Sequence, residues 1–542
     1  MLKFFYNGKC WLGGNYFANT ILVDKERIAL VGLDDAPQRA EKIDLEGALV
    51  LPAFYDSHLH LLWLGRSEAS FKTAGASSLA EALDRGRAHL RLTHPAPGAL
   101  VEGVGLDPDA FSGGKREPDR SDLDSISREH PVVLQRHCGH TVYCNSAALA
   151  LAGLSEKGPA VEGGVVEVDA GGRPSGILRE NAANLVRAKL PSFSDAQIRA
   201  FLDLAMQKAL SLGITAAGSF DSDGPDCARI MGIYRKVYAE RELKQQASLR
   251  ITVQAGVRGK EEFIDAFAEQ GISTGDVLAQ SAGGSALYRM GAVKLFADGT
   301  LGGHTAWLSA PYTDRPDTEG YPVLAPPVLA RLVRKAAEQG LQVLIHAIGD
   351  AGVDSALSAF EALPEAARKA LRPGIIHCQI TNGALLRRMA RAGVQALVQP
   401  VFLADDSAIL ERRVGPERAL QSYAWGAMER TGVITSYGTD APVSPLNPFE
   451  GVSWAVCRRD TETDPAGQGF APEEKVPLRT ALRCYTGRAA WSAFDEKRLG
   501  LLRPGFLADF ITIDRDIFHV PEEEIRRARV TRVWMGGREL RP

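Results

Sequence analysis

Cysteine is scarce in this chain, and the few cysteines are not spaced for a disulfide framework or a thiolate zinc site. Seven cysteines, an odd number, are spread over 542 residues, and no two of them form a C-x-x-C motif. Disulfide-rich secreted domains and thiolate zinc sites both depend on cysteines paired at short spacing. The sequence therefore excludes both classes and favours a reducing compartment.

Long apolar runs and a strong charge of one sign are also missing. No stretch reaches the roughly 18 apolar residues of a membrane span, and polar residues interrupt the first twenty positions before a signal-peptide core forms. The net charge of −3 favours neither nucleic acid nor an anionic membrane as a partner. We expect a cytoplasmic protein that acts on a small molecule and binds neither membrane nor nucleic acid.

The middle of the chain alternates between strand-like apolar runs and helical patterns such as the apolar stripe of 196–212. Eight such β units with helices between them predict a closed parallel barrel, the α/β TIM-like (β/α)8 fold. The first run ends at His58, and the others are 213–218, 249–255, 290–296, 341–346, 374–378, 394–399 and 433–440.

The two ends of the chain have a different sequence pattern, which predicts short strands separated by tight glycine turns. We expect residues 1–50 and 491–542 to form one composite β-sandwich beside a barrel over 51–490. Residues 65–190 are far too long for a βα loop, and we expect an inserted α/β subdomain there, over the mouth of the barrel. The alternative for this segment is a separate domain unrelated to the active site.

The insertion should contain secondary structure of its own. The sequence predicts helices over 79–91 and 142–152 and strands over 99–105 and 131–136.

Candidate metal ligands recur at the carboxyl ends of the predicted barrel strands, where barrel enzymes keep their chemistry. The apolar run 48–51 looks like a buried strand that leads to the His-x-His motif. His58 and His60 lie two residues apart on an extended segment, so their side chains point to the same face. One histidine at a strand end is more often structural than a ligand. However, it is improbable that five strands out of eight carry such residues in this order by chance. The full set is His58, His60, Lys294, His346, His377 and Asp440.

These residues can hold two divalent ions. His58, His60 and Asp440 could bind one ion and His346 and His377 a second, with Zn²⁺ first and Mn²⁺, Fe²⁺ or Co²⁺ as alternatives for nitrogen and oxygen donors. An ammonium has no lone pair, but a buried lysine loses its proton readily. If Lys294 adds CO₂, the carbamate has two oxygens that could bridge two cations. A single-metal centre with an unmodified Lys294 is the alternative.

The order His-x-His, Lys, His, His, Asp resembles that of the amidohydrolase superfamily. The sequences around these residues resemble those of its YtcJ-like branch, which includes N-substituted formamide deformylases. The matching stretches are 52–60, 136–145, 293–302, 346–350, 376–379, 438–442 and 500–509.

The resemblance implies a (β/α)8 barrel, a composite β-sandwich from both termini, an insertion after the first barrel strand and a two-metal centre. It also implies that Lys294 is carboxylated and that Asp440 is the catalytic acid and base. We expect substrate contacts at four positions. For His140 the alternative is packing within the subdomain, and for Asn145 it is helix capping. His304 departs from the family pattern, which often has a basic, arginine-like residue there, and packing on Trp307 is its alternative. The four positions are His140, Asn145, Asp298 and His304.

We therefore expect a metal-dependent hydrolase that cleaves a C–N bond of an amide, N-acyl or N-formyl compound. The alternatives are a C–O (ester or lactone) hydrolase or a deaminase that uses the same centre, and a catalytically silent binding or regulatory protein. A homodimer is the default expectation for the oligomeric state.

Overall fold

A barrel of eight parallel strands forms the centre of the molecule. The computed structural model describes residues 2–540 apart from 113, 138, 155, 157, 162, 191 and 465, so Cys138 lies outside the described residues. The barrel strands, which we label β1 to β8 in chain order, are Phe54–Leu59, Ile214–Ser219, Arg250–Gly256, Ala286–Phe296, Gln342–Ala347, Gly374–His377, Gln395–Val398 and Thr435–Tyr437.

Consecutive strands of the barrel are hydrogen-bonded neighbours. The chain after β8 returns to β1, where the Asp440 amide donates to the His58 carbonyl (2.8 Å) and the His60 amide donates to the Ala441 carbonyl (2.9 Å). Strands such as β1 and β3 are buried along their whole length, as expected for a parallel sheet covered by helices. The predicted TIM-like barrel is confirmed.

The run before the His-x-His motif forms a strand that belongs to another sheet. Leu49–Pro52 pairs with Lys9–Cys10 in parallel and with Phe510–Ile513 in antiparallel orientation. The first barrel strand begins two residues later, so His58 lies inside a barrel strand instead of following one.

Both ends of the chain build the β domain together. One sheet has the strand order Arg27–Val31, Ile21–Asp24, Leu2–Tyr6 and Glu41–Asp44; the other has the order Arg538–Leu540, Val530–Met535, Phe510–Ile513, Leu49–Pro52, Lys9–Gly13 and Tyr16–Ala18. Phe5 packs edge-on against Phe510 and Trp534 in their shared core. The expected composite sandwich is confirmed.

Contacts divide the chain into two compact units, one comprising 1–64 and 205–542 and the other comprising 65–204. The second unit has a six-stranded sheet in the order Gly164–Val168, Pro174–Glu180, Thr141–Cys144, Val132–Arg136, Val101–Leu106 and Phe71–Lys72. Its sequence stretch 142–152, predicted as one helix, is a strand to Cys144 and a helix from Ser146, because Asn145 caps the helix between them.

Helices follow most barrel strands. Helix Asp195–Ser211 matches the predicted stripe, and its residues Ile198, Leu202 and Ala205 are buried. The α-helices are Leu61–Ala69, Leu79–Thr93, Arg120–Asp124, Ser146–Leu151, Ala183–Arg187, Asp195–Ser211, Asp226–Leu243, Glu261–Glu269, Pro326–Glu338, Asp350–Glu361, Glu365–Leu371, Gly383–Ala392, Leu403–Asp406, Leu410–Leu420, Trp425–Thr431, Pro448–Cys457, Leu478–Cys484 and Gly487–Ser492.

Shorter elements complete the chain. Strand Val277–Gln280 pairs with β4 in antiparallel orientation. The 3-10 helices are Pro108–Ala110, Pro400–Phe402, Pro472–Glu474 and Glu522–Arg527. Within the described ranges, no helix is both long enough and apolar enough to cross a bilayer.

Candidate metal centre

The carboxyl ends of the barrel strands bring the predicted ligands together. The imidazole of His58 lies 5.3 Å from that of His60 and 5.9 Å from that of His377, measured between ring centroids. His346 and His377 are closer still, at 4.5 Å. Asp440 Oδ1 lies 3.2 Å from His58 Nε2 and 3.0 Å from His60 Nε2.

The hydrogen bonds of His58 and His60 leave their Nε2 lone pairs pointing at Asp440. The Nδ1 atom of His58 bonds Gln254 Oε1 (2.5 Å), and the Nδ1 atom of His60 bonds the Phe220 carbonyl (2.8 Å). Both acceptors need a proton on Nδ1, so each neutral ring has none on Nε2.

The convergence of these atoms is what a cation requires. Asp440 Oδ1 is buried and has no hydrogen-bond donor, while two imidazole lone pairs face it. Three acceptors that share one point repel one another unless a metal ion or a proton lies between them. His58, His60 and Asp440 are the one group of three or more histidine, cysteine or acidic side chains with this geometry among the residues that the structure describes. The donor set fits a divalent metal.

His346 and His377 form a second pair of nitrogen donors. The Nδ1 atom of His377 bonds Gln399 Oε1 (2.8 Å), which leaves its Nε2 as the lone pair. In His346 the opposite nitrogen, Nε2, donates to the Gly299 carbonyl (2.9 Å), so Nδ1 is the nitrogen with the free lone pair. Burial, with the charge of Lys294, lowers the pKa of His346 to about 3, so this ring is neutral at ordinary pH.

Lys294 is buried in β4 with aromatic neighbours. Its Nζ atom lies 5.2 Å from the ring centre of Phe296 and 5.9 Å from that of Phe220, and its side chain is 2% exposed. Burial lowers the pKa of this amine from 10.5 to about 7, although the charge of Asp440 opposes the shift. A buried amine that is half deprotonated near neutrality can act as a nucleophile.

Two of the candidate ligands occupy strained backbone positions. His377 has φ of 74° and Asp440 has φ of 56°, in the left-handed region that normally favours glycine. Each such residue costs on the order of 1–3 kcal/mol. The strain persists at the two positions where the imidazole and the carboxylate point into the centre.

A buried carboxylate that sequence reasoning did not single out fixes the position of Asp440. Asp56 Oδ2 accepts hydrogen bonds from the amide (3.1 Å) and the hydroxyl (2.6 Å) of Thr439, and Asp56 Oδ1 accepts one from the amide of His58 (3.1 Å). Burial raises the pKa of Asp56 to about 7. Asp56 thus joins the end of β1 to the segment after β8, the two segments that carry the candidate ligands His58 and Asp440.

Sequence reasoning also missed the glutamines that bond His58 and His377. Gln254 and Gln399 are 3% and 2% exposed. Residues 250–254 alternate between polar and apolar side chains, and this pattern could have revealed Gln254, because period-two polar residues in a parallel barrel point inward. The run before Gln399 is apolar from 396 to 398 and carries no such signal.

Asp298, expected as a substrate contact, is used by the backbone instead. Its Oδ1 accepts from the Ile348 amide (3.0 Å), and its Oδ2 accepts from the amides of Gly349 (2.7 Å) and Trp307 (3.0 Å). The carboxylate is 1% exposed. These bonds give Asp298 the role of anchoring the loop after β4 to the end of β5.

His304 lies on the same loop in a charged cluster. Its Nε2 is 3.1 Å from Asp314 Oδ1 and 2.5 Å from Arg413 Nη1, and Arg413 also pairs with Asp314. The ring packs edge-on against Tyr312 at 4.9 Å, whereas Trp307 was the expected packing partner.

The two predicted contacts from the insertion belong to the second unit. Asn145 is fully buried: its Oδ1 accepts from the amides of Ala148 and Val132, and its Nδ2 donates to the carbonyls of Ser127 and His130. This use of the whole amide matches the capping alternative. His140 is half exposed and bonds Glu180 Oε2 through Nδ1 (2.9 Å).

Aromatic rings surround the ligands. Trp63 and Phe220 contact the His60 ring at 5.6 and 5.4 Å, Phe296 contacts His346 at 5.2 Å, and Phe402 stacks on His377 at 5.8 Å. All four rings are partly exposed. The surroundings of the ligands are therefore apolar, which strengthens electrostatic interactions at the centre.

Comparison with known proteins agrees with this geometry. A model of the amidohydrolase family matches residues 41–541. The Bacillus subtilis protein YtcJ is 30% identical over 97% of this chain and 98% of its own length. N-substituted formamide deformylase of Arthrobacter pascens is 27% identical over 96% of this chain and 95% of its length.

Solved structures give the same result. An uncharacterized metal-dependent hydrolase from Pyrococcus furiosus superposes with a TM-score of 0.75 at 29% identity, covering 95% of this chain and 99% of that one. A second, from Pyrococcus horikoshii OT3, gives 0.77 at 27% identity, covering 96% and 99%. The resemblance noted in the sequence is confirmed, and the chain belongs to the amidohydrolase family as a metal-dependent hydrolase.

Proposed function

We propose that this protein hydrolyses a C–N bond in an amide, N-acyl or N-formyl compound at a centre that holds two divalent metal ions. The observation that carries the proposal is the buried Oδ1 atom of Asp440, which has no donor and is faced by the Nε2 lone pairs of His58 and His60. The similarity to a formamide deformylase supports the choice of a C–N bond.

The ligands divide into two groups. His58, His60 and Asp440 would hold one ion, and His346 and His377 the other, with Zn²⁺ as the first choice for this donor set and Mn²⁺, Fe²⁺ or Co²⁺ as alternatives. Lys294 would join the two groups as a carbamate: its neutral amine attacks CO₂, a C–N bond forms and one proton leaves. The depressed pKa of Lys294 supports this step.

When bound, the two ions lower the pKa of a water and polarise the substrate carbonyl. The residues of the chain then orient and transfer protons. Asp440 is held by strained backbone and by the bonds between Asp56 and Thr439, so its second oxygen accepts the proton of the attacking water. The same oxygen later donates that proton to the nitrogen of the leaving amine.

Substrate recognition is assigned to residues around the centre. The partly exposed rings of Trp63, Phe220, Phe296 and Phe402 would exclude water from the bound substrate. We also propose His304 on the loop after β4 as a substrate contact.

Two alternatives differ in a measurable way. A C–O hydrolase or deaminase would use the same residues on a lactone, an ester or an amino-substituted ring. A silent binding protein would retain the barrel without the chemistry, and the complete ligand set disfavours that alternative.

Elemental analysis by inductively coupled plasma mass spectrometry tests the metal centre first. We expect about two transition-metal ions per chain after purification or after reconstitution with zinc and bicarbonate. One ion per chain would favour the single-metal centre, and none would overturn the proposal. Assays with formamides, N-acyl amino acids, lactones and aminopurines then test the bond, and turnover of lactones alone would overturn the C–N assignment.

A further inference from the structure

Gln254 and Gln399 are the two glutamines that contact imidazoles of the centre, and they do so in the same way. Gln254 Oε1 lies 2.5 Å from His58 Nδ1, and Gln399 Oε1 lies 2.8 Å from His377 Nδ1. The two histidines belong to different halves of the proposed two-metal centre. Each half therefore has one imidazole whose outer nitrogen is bonded to a neutral amide.

The orientation of each amide is determined by the backbone. Gln254 Nε2 donates to the Ser57 carbonyl (3.0 Å), and Gln399 Nε2 donates to the Leu397 carbonyl (3.2 Å). A flipped amide would place an oxygen against each of those carbonyl oxygens, which is repulsive. The amide oxygen must therefore face the imidazole, and the imidazole must keep its proton on Nδ1.

A glycine makes room for the first of these amides. Gly218 lies on β2, between β1, which holds His58, and β3, which holds Gln254. A Cβ atom at position 218 would lie 2.5 Å from Gln254 Nε2 and 2.6 Å from the Ser57 carbonyl oxygen. Only glycine allows the amide of Gln254 to extend past β2 to β1.

We propose that Gln254 and Gln399 are positioning residues that hold His58 and His377 in the Nδ1-protonated tautomer, so that each presents an Nε2 lone pair to its own metal ion. This inference rests on the proposed function. The fixed tautomer matters because a neutral imidazole that rotates or moves its proton to Nε2 has no lone pair for the ion. The glutamines supply the acceptor without adding a buried charge.

Zinc affinity measured by competition with a chelator tests the proposal independently of activity. We expect Gln254→Leu and Gln399→Leu each to lower the affinity for one of the two zinc ions by about 10- to 100-fold. This is the usual effect of removing a hydrogen-bond partner of a metal ligand. At a buffered free zinc concentration where the parent holds two ions, each variant should hold about one. Gln254→Glu keeps an oxygen that accepts the Nδ1 proton, although its second oxygen faces the Ser57 carbonyl, so it should bind the second ion more tightly than Gln254→Leu does.

Two further variants separate positioning from general packing. Gln395 lies on β7, four residues before Gln399, and is 1% exposed. Its Nε2 donates to the Arg372 carbonyl (2.7 Å), and it makes no bond to a candidate metal ligand. Gln395→Leu is the matched control and should keep two ions. Gly218→Ala should lower the affinity for one zinc ion as Gln254→Leu does, because its Cβ atom displaces the Gln254 amide.

The outcomes are distinct. If the parent binds two ions and Gln254→Leu and Gln399→Leu bind zinc as tightly as Gln395→Leu, the positioning role is overturned while the proposed function stands. If the parent binds no metal, the proposed function fails. Circular dichroism melting shows which variants are folded. If Gln254→Leu does not fold, Gln399→Leu and Gly218→Ala decide the question by the same criterion.

Discussion

At the scale of the residue, Asp440 is proposed both to bind metal through one oxygen and to carry the proton on the other. In Asp440→Asn the amide oxygen can still face the metal, but the side chain can no longer accept a proton from water. We expect turnover of the best substrate to fall by roughly 10²- to 10⁴-fold, the usual contribution of a positioned acid or base, with the fold and most of the metal retained. Turnover at the parent rate would contradict the acid and base role.

Lys294 provides a prediction that depends on pH. Only the neutral amine reacts with CO₂, and with a pKa of about 7 its neutral fraction rises roughly tenfold between pH 6 and pH 8. At a fixed concentration of dissolved CO₂, metal-free protein should therefore bind its second zinc ion faster at pH 8 than at pH 6. Zinc content after rapid gel filtration measures this.

The control for that prediction removes the amine. Lys294→Ala should lose bound metal and recover part of it with acetate or propionate, and its recovery should no longer accelerate from pH 6 to pH 8. A variant that holds two ions without added acid would contradict the bridging role of Lys294.

Single residues also show why the site could be predicted only in part. His58, His346 and His377 were identifiable because each accompanies a strand and the carboxyl ends of parallel strands meet at one end of a barrel. The contact between Gln254 and His58 was not, because it passes over Gly218 on the intervening strand. The distance between these two residues, 196 positions, carries no periodicity that a sequence pattern could reveal.

At the scale of the element, the helix that begins after Asn145 separates a structural role from a substrate contact. Asn145 satisfies two backbone donors and two carbonyls while fully buried. We expect Asn145→Ala to lower the free energy of unfolding by about 2–3 kcal/mol, since it removes a cap and leaves buried groups unpaired. Denaturant titration measures the change, and KM should not move.

Asn382 offers the matched comparison. It caps helix Gly383–Ala392 with bonds to two backbone amides and is partly exposed, so Asn382→Ala should cost only about 1 kcal/mol. A rise in KM in Asn145→Ala without loss of stability would assign Asn145 to the substrate instead.

Element boundaries failed where one sequence pattern fits two structures. The apolar run 48–51 was expected to lead into the barrel, yet it pairs with strands from both ends of the chain in the sandwich. A short buried strand looks the same in either sheet, and only its partners distinguish them. Likewise, 142–152 has enough apolar residues for a helix, but tertiary pairing with Val133–Gln135 keeps 142–144 extended.

At the scale of the whole molecule, a buried ion pair joins the barrel to the sandwich. Arg250 at the start of β3 bonds both oxygens of Asp509 beside the strand Phe510–Ile513, at 3.1 and 3.2 Å, and both side chains are at most 5% exposed. Asp509 Oδ1 also accepts from the Gly536 amide (2.7 Å). This carboxylate therefore connects β3 of the barrel to the end of the sandwich strand Val530–Met535.

Removing one partner should destabilise the unit that contains both. Asp509→Ala leaves the Arg250 guanidinium buried and unpaired, which typically costs about 3–5 kcal/mol. We expect the melting temperature to fall by several degrees in calorimetry, with the zinc content of the folded protein unchanged because no candidate ligand contacts the pair.

Glu365→Ala is the control. It breaks an exposed pair with Lys369 and should change the free energy of unfolding by less than about 1 kcal/mol. If Asp509→Ala had the melting temperature of the parent while Arg250 stayed buried, other contacts between the sandwich and the barrel, and not this pair, would account for their cohesion.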